Sequence, residues 1–251
     1  PRGLGELLGS LRRIIGKLTF PYEIAELAPG DVLGRDEYEI RTFPVRHGLS
    51  ALGYALVEHE RPGRFDVEAA DALGVPSGPE RGLLQRGEAV TLADGREVTP
   101  LEVLGPARPG RKLVLSGDTA PIQSVADAAQ GADLLVHEAT FCEDEADRAR
   151  ETDHSTAAEA ARVARDAGVK LLALTHLSTR YFGSDVEREA RAIFPETVVP
   201  RDFDVIEIPF EERGAPELVN SGARKRRGPS AEQAGDALRA VVEDLVEPPD
   251  G

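Results

Sequence analysis

Four short runs decide how this chain folds: LSGDTAP (115–121), LLVHEATF (134–141), DHST (153–156) and LLALTHLSTRY (171–181). In three of them, an aliphatic run suited to a buried strand gives way to aspartate, glutamate or histidine. Ligand sites in open α/β sheets usually lie just past the carboxyl ends of the strands. The runs therefore predict an α/β protein whose polar side chains gather at one edge of the sheet.

The composition indicates one large globular domain, with or without an insertion and a tail. The chain has 251 residues, of which 41% are hydrophobic, and a net charge of −15. Such acidity favours solubility and does not attract polyanions, and the scarcity of lysine resembles proteins of salt-loving organisms. A single cysteine excludes an internal disulfide framework and fits a reducing cytoplasm. No run is long enough to span a membrane, and because the chain begins at Pro1 we expect a processed chain or a fragment.

The first sixty residues are predicted to form one helix followed by strands. An amphipathic pattern predicts a helix over Leu4–Ile15. Alternating residues at 22–27 and 37–45, on either side of a Pro-Gly-Asp turn, predict a strand-turn-strand unit. A further strand is predicted at 53–57.

From residue 112 onward the pattern alternates between strand and helix, as in a sheet with parallel strands. Strands are predicted at 112–116, 133–137, 170–176, 197–199 and 204–208, and helices at 122–130, 155–167 and 185–194. The signal weakens after residue 210, and we expect 213–251 to be a flexible tail that carries a basic run. The predicted fold therefore has two parts, 1–60 and 112–212.

Residues 61–111 separate these two parts as an insertion rich in glycine and proline. It is predicted to contain a short helix at 66–73 and a hairpin at 90–98, around the turn pair Asp94-Gly95. Between Arg61 and Lys112, eight basic and eight acidic side chains cancel, so the rest of the chain carries the whole charge of −15. A neutral, arginine-bearing arm on an acidic body is better placed than the body to meet a polyanion.

Three polar residues are candidates for binding a metal. Asp118 follows a buried strand, and a carboxylate there can bridge two cations, although it could instead cap the next helix. His47 and His176 each end a strand, and neutral imidazole is a common zinc ligand. Either histidine could instead be a satisfied core residue, but three such residues at three strand ends together favour part of a two-metal site.

His154 is a candidate proton donor. It precedes Ser155 and Thr156, one of which is expected to cap a helix, and a histidine at such a place is expected to be partly exposed. Glu138 could orient it, because a carboxylate bonded to one ring nitrogen fixes the tautomer and supports the protonated form. Glu138 could alternatively make only a structural hydrogen bond at the strand end.

These motifs, taken in order, resemble the ribonuclease Z family of the metallo-β-lactamase superfamily. The motifs are His47-Gly48 with Gly53-Tyr54, Gly117-Asp118-Thr119, His137-Glu138-Ala139-Thr140, His154-Ser155-Thr156 and Thr175-His176-Leu177-Ser178. The insertion, with RPGRFD at 61–66 and GVPSGP at 74–79, looks like the family's tRNA-binding arm. The likeness covers about residues 22–210. It implies a metallo-β-lactamase αβ/βα sandwich, incomplete at the N-terminal side, because the superfamily's His-x-His-x-Asp-His motif is absent. We therefore expect a front-truncated chain.

The resemblance also implies an activity and roles for particular residues. The complete protein would be a zinc-dependent endoribonuclease that removes the 3′ trailer of precursor tRNA, a cytoplasmic homodimer with two zinc ions per subunit. His47 and His176 would each bind one metal and Asp118 would bridge the pair, while His137, Glu138 and His154 would transfer a proton to the leaving oxygen. The residues expected to bind RNA in the arm are Arg61, Arg64, Gly78, Pro79, Arg81 and Arg86.

Two other functions stay open at this point. One is a different hydrolase of the metallo-β-lactamase fold that acts on a small phosphodiester or ester, although a small substrate needs no projecting arm. The other is a non-catalytic RNA-binding or dimerising remnant, which the missing motif favours if its loss is genomic.

Overall fold

A computed structural model of the chain describes residues 4–16 and 24–219. Its first element, α1 (Leu4–Ile15), has the bounds that the sequence predicted, and Leu7 and Ile14 on its apolar face are exposed. None of the helices in the described part of the chain is long and apolar enough to cross a membrane.

Seven strands form one mixed sheet, and four more form two small ribbons. In chain order the strands are β1 (Val32–Gly34), β2 (Tyr38–His47), β3 (Leu49–Glu58), β4 (Val90–Thr91), β5 (Glu97–Val98), β6 (Lys112–Leu115), β7 (Leu134–Glu138), β8 (Leu171–Thr175), β9 (Thr197–Val198), β10 (Val205–Glu207) and β11 (Glu217–Val219). The sheet has the order β1-β2-β3-β6-β7-β8-β9, antiparallel as far as β6 and parallel from β6 to β9. The predicted α/β class is confirmed.

Helices connect the parallel strands and cover one face of the sheet. These helices are α4 (Gln123–Ala129), α5 (Ala146–Glu151), α6 (Ala157–Ala167) and α7 (Gly183–Arg191). Two earlier helices, α2 (Val67–Ala72) and α3 (Pro79–Gln85), lie between β3 and β6 and do not belong to this layer. A capping box between Thr156 and Glu159 begins α6, and its many alanines let it lie close to the sheet. The main hydrophobic core lies between this helical layer and the sheet.

The opposite face of the sheet is less covered. Leu134, Leu171 and Ala173 are buried there, packed against side chains that include Ile206 and Ile208 near β10. Tyr54 and Leu115, which pair across β3 and β6, are more than a third exposed. The helical layer and the sheet therefore account for one enclosed core and one partly open face.

The strand predicted at 22–27 is wrong in its described part, because residues 24–28 form an irregular segment. The segment lies beside β2, where the Thr42 hydroxyl donates to the carbonyl of Ala28 and the Gly30 amide donates to the carbonyl of Thr42. The edge strand of the sheet is instead β1, which follows the Pro-Gly-Asp turn. In the tail predicted at 213–251, Glu217–Val219 form β11 and pair with β10, while residues 220–251, which include the basic run, lie outside the described residues.

Residues 61–111 form a separate small body, which we call the arm. Its predicted helix and hairpin are present as α2 and the β4–β5 pair, and α3, which the sequence analysis did not identify, lies between them. The arm has its own hydrophobic cluster, whose buried residues are Ala70, Val75, Leu84, Val90, Val98 and Val103. None of these six belongs to the core beneath the sheet, so the arm contributes its own packing.

Candidate active site

Four predicted site residues lie at one edge of the sheet, each where a strand ends. His47 ends β2, Asp118 follows β6, Glu138 ends β7 and His176 follows β8. The chain turns sharply at these points. Gly117 has φ +65° and His176 itself has φ +56°, a left-handed conformation that disfavours a side chain with a Cβ atom. Such strain at His176 is typical of a functional position.

Three imidazole rings form a row at this edge, with His154 in the centre. The ring centroid of His154 lies 4.6 Å from that of His47 and 5.3 Å from that of His176. The row continues to Asp118, whose Oδ2 lies 3.6 Å from Nε2 of His176. Residues that are 129 positions apart in sequence, His47 and His176, thus face the same small space.

The Glu138 carboxylate holds the row in place from beneath. Its side chain is fully buried, and its Oε1 lies 2.7 Å from Nδ1 of His154, the contact that the sequence analysis expected. The carboxylate also accepts hydrogen bonds from the backbone amides of Thr119, Thr140 and Ser155 and from the Thr140 hydroxyl. These hydrogen bonds satisfy the buried carboxylate and fix its position and orientation.

This contact fixes how His154 can act. With Nδ1–H donated to Glu138, Nε2 is the ring nitrogen that can exchange a proton with a bound group. The His154 side chain is partly exposed, at 13%, as the sequence analysis expected for a residue beside a helix start. Its enclosure follows from the neighbouring rings, which include Phe141 at 6.2 Å between centroids.

Asp153 is a site residue that the sequence analysis did not single out. It has φ +55°, its carbonyl lies 3.3 Å from Nδ1 of His47, and its carboxylate accepts from the amide of Gly48. Asp153 therefore ties the end of β2 to the segment that carries His154. An aspartate before His154 tolerates the left-handed conformation, which is the signal that could have identified it.

His137 lies apart from the row. Its ring is buried on the helical side of the sheet, with Nδ1 2.8 Å from the carbonyl of Glu138 and Nε2 without a hydrogen-bond partner among the described residues. Burial lowers the pKa of His137, which favours the neutral ring. Glu138 contacts His154 directly. Among the described residues, His137 makes no ring contact or hydrogen bond with His154.

The donor chemistry of this edge suits zinc, for which imidazole and carboxylate are common ligands. The alternative in which Asp118 caps the next helix is wrong, because α4 begins at Gln123 and its N-cap is Ile122. Within residues 4–16 and 24–219, however, no group of three His, Cys, Asp or Glu side chains is arranged to hold a metal ion. His47, Asp118 and His176 therefore form a partial donor set.

The arginines predicted to bind RNA in the arm divide into two kinds. Arg81 is 15% exposed and binds the carbonyl of Val75 and the carboxylate of Asp71, and Arg61 binds Glu212. Arg64 and Arg86 are exposed, and Arg86 makes only a long contact to Glu88. The exposed Gly78-Pro79 pair begins α3 with proline at its first turn.

Sequence comparisons relate this chain to proteins named ribonuclease Z. A family described as "Beta-lactamase superfamily domain" matches residues 80–177. Ribonuclease Z of Myxococcus xanthus is 59% identical over 167 residues, which are 66% of this chain and 54% of that protein. Ribonuclease Z of Gemmatimonas aurantiaca is 48% identical over 217 residues, 84% of this chain and 69% of that protein. Ribonuclease Z of Halobacterium salinarum is 47% identical over 216 residues, 84% of this chain and 70% of that protein.

Structural comparison supports the fold. The crystal structure of human tRNase Z, short form, matches with a TM-score of 0.52 at 22% identity, over 84% of this chain and 66% of that one. The metallo-β-lactamase fold predicted from the sequence is confirmed. The chain spans between about half and seven tenths of the length of the relatives that it matches.

Proposed function

Because the chain belongs to the ribonuclease Z family, we propose that the protein containing it is a metal-dependent endoribonuclease that removes the 3′ trailer of precursor tRNA. The observation that carries the proposal is the row of His47, His154 and His176 beside Asp118, with His154 held by the buried Glu138. A family relationship without this cluster would support the fold but not the activity.

The chemical step needs a proton for the departing oxygen. A water loses a proton to solvent and its oxygen bonds to phosphorus, the phosphodiester P–O bond breaks, and the leaving oxygen takes a proton from Nε2 of His154, which then regains one from solvent. The contact from Nδ1 to Glu138 supports this role, because the carboxylate fixes the tautomer and the orientation of the ring. His137 is buried and neutral, so its part is to hold the backbone of Glu138 through Nδ1.

Two zinc ions are the proposed cofactor. His47, Asp118 and His176 would hold them together with donors from outside the described residues, since the described part supplies no complete group. Bound zinc ions polarise a phosphate and lower the pKa of a bound water to about 7. Asp118 is the best placed of the three to serve both ions, because a carboxylate has two oxygens.

The arm is the proposed binding surface for tRNA. Arg64 and Arg86 point their charge to solvent, and the arm lacks the excess negative charge of the body. Phosphate contacts of this kind weaken steeply as salt rises. By family resemblance we also propose a homodimer in the cytoplasm.

The proposal can be tested on the full-length protein that contains this sequence. We expect zinc-dependent cleavage of a precursor tRNA and slower hydrolysis of a small phosphodiester. Replacing the arm by a short turn should weaken tRNA binding and spare hydrolysis of the small phosphodiester, because the strand-end cluster stays intact. Gel analysis of the RNA products and a colorimetric assay give the two rates.

The outcomes separate the three functions. Equal loss of both activities in the arm deletion would contradict a separate binding surface. Efficient hydrolysis of small phosphodiesters with no cleavage of precursor tRNA would favour a different hydrolase of the same fold. Binding of tRNA without cleavage, in the presence of zinc, would favour the non-catalytic remnant.

A further inference from the structure

The two ends of the arm meet in a narrow neck. Arg61 and Arg108 form an antiparallel bridge, with backbone N–H···O distances of 2.7 and 2.9 Å. Just beyond it, Gly63 lies so close to Gly105 that a Cβ atom on Gly63 would be 1.9 Å from the Gly105 carbonyl oxygen. The neck therefore keeps its two strands together, but the bridge alone does not fix the direction in which the arm leaves the sheet.

A carboxylate from the far end of the described chain joins both strands of the neck. Glu212 accepts a pair of hydrogen bonds from Arg61, each 3.1 Å long, and a third of 2.8 Å from Arg108. Bidentate contacts between guanidinium and carboxylate are strong and directional. One side chain outside the arm thus binds the strand that enters the arm and the strand that leaves it.

An aromatic ring beside Glu212 completes the contact. The guanidinium carbon of Arg61 lies 3.4 Å from the ring centroid of Phe210, and that of Arg111 lies 4.5 Å from it. Arg111 also donates to the carbonyl of Ile208 and pairs with Glu58 at the end of β3. Cation–π stacking together with hydrogen bonds fixes both the position and the plane of these guanidinium groups.

We propose that Ile208, Phe210 and Glu212 form a latch that sets the position of the arm relative to the cluster of His47, His154, His176 and Asp118, with Glu212 as the positioning residue. This inference rests on the proposed function, in which one long polyanion contacts the arm and the site together. A substrate that spans two surfaces is sensitive to the distance between them, whereas a small phosphodiester that reaches only the site is not.

In this proposal Arg61 belongs to the latch and does not bind RNA, although the family resemblance placed it among the RNA-binding residues. Its Nη1 and Nη2 atoms donate to Glu212, its Nε lies 3.4 Å from the carbonyl of Pro109, and one flat side lies on Phe210. These contacts occupy the donors that a phosphate would need. Arg61 is therefore committed to the latch, whereas the exposed Arg64 side chain is available to a ligand.

The hydrogen bonds from Arg61, with the charges of Arg61 and Arg108, lower the pKa of Glu212 to about 2. Its carboxylate therefore stays ionised throughout the physiological pH range.

The test is Glu212→Gln in the full-length protein, with Glu211→Gln as the matched control. Glu211 is the neighbouring carboxylate, but it points to Lys170 at 3.8 Å and is largely exposed. We expect Glu212→Gln to raise the KM for precursor tRNA roughly three- to tenfold, with kcat/KM for a small phosphodiester within about twofold of the parent. Hydrogen exchange at the amides of Arg61 and Arg108 should quicken in Glu212→Gln and not in the control.

Each result decides the matter. Unchanged exchange and unchanged KM in Glu212→Gln would overturn the latch, and so would equal losses on both substrates, because the residue would then support the body. Phe210→Leu, which keeps the glutamate and removes the ring, should give the same split in milder form. If the parent protein fails to cleave precursor tRNA, the proposed function fails, while the exchange measurement still decides whether Glu212 holds the neck.

Discussion

The site formed by His47, Asp118, Glu138, His154 and His176, which we call the strand-end site, differs from the arm in where its charged groups lie and what they contact. In the site, the central charge is the buried Glu138 carboxylate, which accepts five hydrogen bonds from its surroundings and leaves the imidazole row facing outward. In the arm, Arg61 and Arg81 are bound to nearby acceptors, Arg86 makes one exposed contact to Glu88, and the exposed Arg64 side chain makes no hydrogen bond or ion pair with the described residues. A charged side chain can bind a ligand when few of its hydrogen-bonding atoms already have partners in the protein. This number matters more than the residue type.

Losing a contact should also cost more free energy of unfolding in the site than in the arm. A buried charge that loses a partner leaves a polar group unsatisfied, at a cost of about 1–3 kcal/mol or more. An exposed ion pair contributes about 0.2–1 kcal/mol. A single substitution in the site should therefore lower activity or the free energy of unfolding strongly. A single substitution in the arm should change either quantity only slightly, because many residues each contribute a little.

The largest expected effect is on catalysis by His154. In the full-length protein, His154→Ala should slow cleavage of precursor tRNA by about 10² to 10⁴, because the leaving oxygen loses its proton donor. The zinc content should not change, since His154 is not a predicted ligand. The loss should shrink for a nitrophenyl phosphodiester, whose leaving group needs no proton.

His176→Ala serves as the control, because it should lower the zinc content that His154→Ala preserves. Metal analysis and rates on both substrates make the comparison. Loss of zinc in His154→Ala, or equal losses on both substrates, would remove His154 from the role of proton donor.

The next effect concerns Glu138 itself. Glu138→Gln puts an amide group among donors that need acceptors, so we expect the free energy of unfolding to fall by about 1–3 kcal/mol. Glu88→Gln in the arm, which touches only the exposed Arg86, should change it by less than about 0.5 kcal/mol. Denaturant unfolding of both variants makes the measurement, and equal changes would show that the contrast between the two regions is wrong.

The neck of the arm offers a matched pair of glycines. Gly63→Ala places a methyl group against the Gly105 backbone and should destabilise the arm by about 1–3 kcal/mol. In Gly105→Ala the new methyl group meets its nearest atom at 3.6 Å, an ordinary contact. Proteolysis within residues 61–111 reports the result, and equal sensitivity of the two variants would contradict the close crossing.

The smallest expected effect separates two arm arginines. Arg81→Ala removes contacts to Val75 and Asp71 and should lower stability by about 1 kcal/mol, with a minor effect on tRNA affinity. Arg86→Ala should lower tRNA affinity and leave the free energy of unfolding almost unchanged, because the Arg86 side chain is 64% exposed. Thermal unfolding and filter binding at two salt concentrations measure both properties. A stability loss confined to Arg86→Ala would invert the assignment.

The sequence predicted most of the strands and helices, because their aliphatic runs and caps are local signals. The α6 start at Thr156 and the arm hairpin around Asp94-Gly95 are examples. The edge strand was misplaced, since β1 is short and its pairing with β2 depends on the Pro-Gly-Asp turn more than on alternation. The start of α3 had a signal in Gly78-Pro79 that was read only as part of a family motif.

For the site, the sequence could name residues but not their partners. The strand ends identified His47, Asp118 and His176, and the structure adds that His154 lies between the two other rings. The amides that bind Glu138 come from three separate segments, and backbone donors leave no mark in the side-chain pattern. The pairing of Arg61 with Glu212 spans 151 residues, a separation that no local pattern can signal.

The place where the arm is inserted has a consequence for how this protein can change over evolution. β3 and β6 are antiparallel neighbours, and the arm occupies the position of the loop in a hairpin. Lengthening a hairpin loop from about four residues to about fifty costs only about 2 kcal/mol of closure entropy, at about 0.6 kcal/mol per doubling. The arm's own hydrophobic cluster can offset that cost. A lineage can therefore lengthen, shorten or exchange this module while the pairing of the sheet, and with it the catalytic edge, is inherited unchanged.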